Sequence, residues 1–114
     1  MHELSVTESI LEISLRHANK AHAQRVTNLY LVIGQLASIV DNSVQFYWDI
    51  VSKGTIAEGA ILHFQRLPAT LSCSDCGHQY NPGNNGFSCP KCKSDHIKVV
   101  SGEEFFMEAI DVEN

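Results

Sequence analysis

No apolar run in this 114-residue chain approaches the ~20 residues that cross a bilayer as a helix, which excludes a transmembrane helix. The opening residues Met1-His2-Glu3-Leu4 have neither the basic flank nor the long apolar core of a secretory signal, so the chain is expected to remain in the cytoplasm. Basic residues are scarce: eight Lys and Arg stand against thirteen Asp and Glu, for a net charge of −5. Such a chain is a poor general binder of nucleic acid or of anionic lipid. The sequence also lacks a phosphate-binding glycine loop, a dinucleotide-binding turn and a nucleophile elbow, and no enzymatic constellation replaces them. It has no low-complexity tract, and its only internal repetition is a pair of cysteine motifs.

The elements that remain describe an α+β protein: a small mixed sheet with two helices, plus an inserted four-cysteine zinc ribbon. Ser5-Val6-Thr7-Glu8 reads as a capping box, with Ser5 as the N-cap of a helix reaching about His22. Val6, Ile10, Ile13 and His17 form its apolar stripe, widened by Leu11, Leu15 and Ala18. Residues 25–33 are rich in β-branched and aliphatic side chains and stop at Gly34, the pattern of a buried strand. Asp41-Asn42-Ser43 offers caps for a second helix, in which Val44, Tyr47, Trp48 and Val51 recur at helical spacing up to the stop at Gly54. Residues 60–67 form another strand. Residues 105–112 form a last one, expected to return to the first sheet. The first domain is therefore expected to be discontinuous, 1–68 with 99–114, around a module at 69–98.

That module holds all four cysteines, as Cys73-Ser-Asp-Cys76 and Cys89-Pro-Lys-Cys92. A CxxC turn lets two thiolates converge on one ion, and two such turns supply a tetrahedral sulfur shell, which suits Zn2+. Cytoplasmic thiols stay reduced, so disulfides are not expected. A redox role would explain one pair and leave the other idle. With all four positions filled by protein, the zinc is structural rather than catalytic. Its binding, worth about 10–16 kcal/mol in small zinc peptides, suffices to fold a stretch this poor in large aliphatics. Lys91, Lys93 and Lys98 are nearly balanced by Asp75 and Asp95, so the module presents no basic face for nucleic acid.

A free amine followed at once by histidine is a chelate. The amine of Met1, the backbone nitrogen of His2 and an imidazole nitrogen of His2 close fused rings on one ion, and the backbone nitrogen or carboxylate of Glu3 offers a fourth donor. A planar nitrogen set favours Ni2+ or Cu2+ over zinc. Taken alone, the triplet is equally what a solvated terminus without a role would show.

Met1-His2-Glu3-Leu4-Ser5 opening a helix, Arg25-Val26-Thr27 leading a strand into Ile33-Gly34, the Gly54-Thr55 turn before Glu58-Gly59-Ala60, and the paired CxxC module recur in this order. Together they resemble the HypA/HybF family of hydrogenase nickel-incorporation proteins, over essentially the whole chain. The resemblance implies a nickel-binding α+β domain joined to a zinc ribbon, with Ni2+ as transient cargo at Met1, His2 and Glu3. It implies a HypB-type GTPase partner and, as client, the NiFe-hydrogenase large subunit, with urease maturation proteins a second destination. The chain itself is then no enzyme, binds neither membrane nor nucleic acid, and acts as a monomer or homodimer. His96, just past the second cysteine pair, is an additional candidate nickel ligand. Many members of the family carry Glu where this chain has Gln35, which bears on a partner surface, and Gly where it has Lys93, which bears on a turn beside the zinc. Two rival readings are a nucleic-acid-binding zinc ribbon and a zinc-stabilised adaptor without a nickel role.

Overall fold

The computed structural model describes residues 3–83 and 86–114; Met1 and His2, and with them most of the expected nickel chelate, lie outside the described residues. Among the described residues, two helices and six strands follow in the order α1 (Glu3–Lys20), β1 (Arg25–Gly34), α2 (Asp41–Val51), β2 (Ile61–Leu67), β3 (Thr70–Cys73), β4 (Gln79–Tyr80), β5 (Ile97–Ser101) and β6 (Phe105–Glu113). They form two three-stranded sheets, ordered β2-β1-β6 and β4-β3-β5. The last strand does join the first sheet, as its sequence pattern predicts. The α+β class holds, and no described helix is long and apolar enough to cross a membrane.

The chain divides into two compact units. One comprises Met1–Val32, Ser38–Gln65 and Phe106–Asn114; the other comprises Ile33–Ala37 and Arg66–Phe105.

In the first unit, α1 packs against α2. The capping box is not used: α1 already runs at Glu3, and Ser5 is an exposed residue of its first turns. The buried stripe also differs from the expected one. It is Thr7, Ile10, Ser14 and Ala18, while Ile13 and His17 face solvent. The two hydroxyls are satisfied within the helix, Thr7 Oγ1 donating to the Glu3 carbonyl at 2.5 Å and Ser14 Oγ to the Leu11 carbonyl at 2.8 Å. A small residue with its polar atom already paired costs little to bury. The helix ends in a Schellman motif. His22 is left-handed (φ 54°), its N–H donates to the Asn19 carbonyl (3.1 Å), and the Ala23 N–H donates to the Ala18 carbonyl (3.0 Å).

Helix α2 buries Val44 and Trp48 and half-buries Tyr47 and Val51, the expected stripe. The expected side-chain cap is absent: the N-cap is the extended Val40, with no side-chain cap bond, and Asp41 is already helical. Glu3 occupies this end instead, its Oε2 accepting the Val40 N–H at 3.3 Å. Gly54 does adopt the left-handed conformation (φ 78°) just past the helix end.

In the second unit, β3 pairs antiparallel with both β4 and β5. The segment Ile33–Ala37 is laced into the base of this unit. The Gln35 N–H donates to the Leu67 carbonyl (2.8 Å), the Leu36 N–H to the Gly102 carbonyl (2.7 Å), and the Gly34 N–H to the Glu104 carbonyl (2.7 Å). Gln35 is exposed, and its Oε1 accepts the Ala69 N–H at 2.8 Å. A carboxylate at this position could accept the same bond.

Candidate metal centre

The sulfur atoms of Cys73, Cys76, Cys89 and Cys92 all lie within 4.8 Å of one another. Two equivalent turns achieve this. In the first, the Gly77 N–H donates to the Cys73 carbonyl (2.9 Å) and the Cys73 N–H to the His78 carbonyl (2.9 Å). In the second, the Lys93 N–H donates to the Cys89 carbonyl (2.8 Å) and the Cys89 N–H to the Ser94 carbonyl (3.0 Å). Each turn closes on a left-handed residue, Gly77 at φ 78° and Lys93 at φ 60°. Only glycine takes that conformation freely, which explains why a glycine suits the position of Lys93. Left-handed geometry costs a side-chain-bearing residue about 1–2 kcal/mol, while glycine returns about 0.5–1 kcal/mol of that to unfolded-chain entropy. Lys93→Gly is therefore expected to stabilise the second turn by about 0.5–1 kcal/mol, seen as a higher urea midpoint of the metal-loaded protein. A lower midpoint would show that the lysine side chain contributes more than its backbone costs.

The thiols divide into two kinds. Cys73 and Cys89, the first of each pair, are 2% and 1% exposed, while Cys76 and Cys92 are open to solvent. Sγ of Cys73 lies 3.5 Å from that of Cys92, and Sγ of Cys76 lies 3.6 Å from that of Cys89. Burial pushes the Cys89 thiol up, but the backbone N–H groups of Cys92 and Lys91 and the neighbouring thiols outweigh it and bring the group down to about 7. The Cys76 N–H likewise leads the interactions that lower Cys73. Cys92 accepts the Ser94 N–H, which favours its thiolate, yet the crowding sulfurs and burial prevail and push it up to about 12. Cys76 is also raised, by burial and by Cys89 and Cys73, against the His78 N–H. Without a cation, the cluster thus favours the thiolate at Cys73 and Cys89 and the protonated thiol at Cys76 and Cys92. A divalent ion would replace the two held protons, which is the chemistry of a four-thiolate metal site.

The sign of the pH dependence follows. Near pH 8, Cys76 and Cys92 hold protons that binding must release, so affinity should rise at least about 100-fold per pH unit. Below about pH 7, Cys89 protonates as well, and affinity should fall more steeply with acid. Competition against a chelator of known affinity from pH 6 to 9 measures the slope; a flat profile would contradict the thiol assignment.

Of the expected nickel residues, the structure describes Glu3, whose carboxylate is engaged at Val40, and His96. His96 is turned to the first cysteine turn, its Nδ1 3.2 Å from Asp75 Oδ2. Ser94 Oγ donates to the same oxygen and, against burial and with help from His96, holds the Asp75 carboxyl below its ordinary range. His78 stacks on Tyr80 with ring centroids 5.7 Å apart. Asp75 and Ser94 escape a sequence reading because a polar residue inside a metal-binding turn looks like an ordinary solvated loop residue.

A family model described as hydrogenase/urease nickel incorporation, metallochaperone, matches residues 1–112. A hydrogenase maturation factor HypA of Dehalococcoides mccartyi is 44% identical over 114 residues, covering 100% of this chain and 96% of the relative. One from Caldanaerobacter subterraneus is 40% identical, covering 99% of this chain and 100% of the relative. The fold is similar to the solution structure of the Ni metallochaperone HypA from Helicobacter pylori, with a TM-score of 0.71 and 23% identity over 99% of this chain and 98% of the other.

Proposed function

Because the chain belongs to the HypA family of hydrogenase/urease nickel-incorporation metallochaperones, we propose that it is a cytoplasmic nickel carrier. In this reading it captures Ni2+ at Met1, His2 and Glu3. It holds a structural Zn2+ with Cys73, Cys76, Cys89 and Cys92. With a HypB-type GTPase it passes nickel to the NiFe-hydrogenase large subunit, or to the urease maturation proteins. The observation that carries the reading is the match of the family over nearly the full chain.

The chemistry of the residues supports it. Zinc suits a closed shell of four thiolates and leaves no open position for catalysis. The family is one of maturation factors, and the chain is accordingly a carrier rather than an enzyme. Nickel suits the amine, amide and imidazole nitrogens of the terminus. Glu3 begins α1, and the first N–H groups of a helix have no carbonyl partner within it, so the Glu3 nitrogen is available as a donor without breaking the helix. Its carboxylate already has a partner in the Val40 N–H, which favours the nitrogen over the carboxylate as fourth ligand. A small terminal chelate releases its ion readily to a client offering more donors, as a delivery role requires.

In cells deprived of their own nickel-incorporation protein, the wild-type chain is expected to restore hydrogenase activity and His2→Ala to fail, with added nickel relieving the failure. Full restoration by His2→Ala at low nickel would overturn the proposal.

A further inference from the structure

Three consecutive residues after the fourth cysteine reach back to both cysteine turns. Ser94 Oγ donates to Asp75 Oδ2, and His96 Nδ1 lies 3.2 Å from that oxygen. Asp95 Oδ1 accepts from Ser88 Oγ at 2.6 Å, one residue before Cys89. The backbone adds to this: the Ser74 N–H donates to the His96 carbonyl (2.7 Å), and the Cys89 N–H donates to the Ser94 carbonyl (3.0 Å). Ser94 Oγ in turn accepts the His96 N–H at 3.0 Å. Residues 94–96 are thus bonded to Ser74 and Asp75, between the first two cysteines, and to Ser88 and Cys89 at the second pair.

The arrangement does not serve core packing. The side chains of His96 and Asp75 are 78% and 53% exposed, so removing either one uncovers little apolar surface. What the bonds fix is the separation of the two turns, which belong to different stretches of chain and carry sulfurs that repel when ionised. We propose that Asp75, Ser94 and His96 form a positioning brace that holds the two cysteine pairs at metal-binding distance and so sets how fast the bound ion escapes. The proposal rests on the reading of the four cysteines as the zinc centre. A metal leaves such a site by successive release of thiolates, and a turn free to swing away after the first release delays recapture. Loss of groups that support the ligands commonly costs 10–100-fold in metal affinity.

The test uses the full-length zinc-loaded protein. Zinc transfer to an excess of a chromophoric chelator is timed for wild type, Asp75→Ala, Ser94→Ala, the double variant and Asp75→Asn. Absorption spectra of the Co2+-substituted proteins are recorded beside them. Each alanine variant is expected to release zinc about 10–100-fold faster, with a displaced Co2+ ligand-field band. The double variant should be little faster than the faster single one, because both changes cut the same bond. Asp75→Asn, whose amide oxygen still accepts from Ser94, should recover most of the wild-type rate. Alanine variants that release zinc at the wild-type rate would overturn the brace while leaving the zinc centre intact. A wild type that retains no zinc, or gives a Co2+ spectrum without sulfur ligation, would overturn the zinc centre and the brace with it. Should Asp75→Ala not fold, Ser94→Ala, which removes a single hydroxyl, decides the matter in the same way.

Discussion

Cys89→Ser is expected to abolish zinc retention and to unfold the second unit. That unit buries little: among its described residues, Ile33 and Leu71 are the large aliphatic side chains that are buried, while Phe87, Val99 and Val100 are exposed. β4 is only two residues long. A three-stranded sheet with so small an apolar face is not stable on its own. Metal binding must supply the difference, and about 10–16 kcal/mol from a four-thiolate site exceeds or matches the whole stability of most domains. Serine keeps the size of the side chain but not a thiolate, and it leaves three sulfurs around an incomplete shell. Metal content after gel filtration should fall close to zero, and protease should cut within 69–98 where the wild type resists. A variant that keeps one zinc per chain and its resistance would show that the sheet, not the ion, holds the module.

Gly102→Ala is the second large effect. Gly102 has φ 119°, and a β-carbon there would lie 2.6 Å from Cα and 2.7 Å from Cβ of Ala69. A β-carbon on Gly34 would meet the Gly102 carbonyl oxygen at 2.1 Å. The obstacles are backbone or short fixed atoms, so no side chain can swing aside. Relief would require shifting the segments that the Leu36 N–H to Gly102 carbonyl and Gly34 N–H to Glu104 carbonyl bonds tie together. A loss of about 3 kcal/mol or more is expected from the clash and the disfavoured backbone together. Gly83→Ala, with nothing within 4 Å of its added carbon, should stay within about 0.5 kcal/mol of wild type. Urea midpoints of the two variants check the contrast; equal midpoints would mean that the base of the unit yields more easily than its geometry implies.

The parts of this protein legible in its sequence are those whose signal is local and strong. Four cysteines in two CxxC turns announce a converging site, and the stripe through Val44 and Trp48 orients α2 correctly. α1 is harder because two faces compete. Ile13 and His17 continue an apolar-looking stripe, but the helix buries Thr7 and Ser14, whose hydroxyls bond their own helix and pass as small packing residues. The start of α1 misleads for a related reason: Ser5 and Glu8 match a local capping pattern, yet the helix already includes Glu3. The lacing of Ile33–Ala37 into the second unit depends on backbone contacts of Gly34, Gln35 and Leu36 with residues more than thirty positions away, and pattern reading along the chain has no access to them. Asp75, Ser94 and His96 carry meaning only through their mutual distances.

The central claim is that the native terminus carries the nickel. Calorimetric titration of zinc-loaded protein with Ni2+ tests it most directly, using wild type, His2→Ala and a version with Gly-Ser placed before Met1. The account predicts one nickel per wild-type chain and none at this site in the two variants, since one lacks the imidazole and the other moves the amine away from it. Equal binding by all three would place nickel elsewhere and contradict the account.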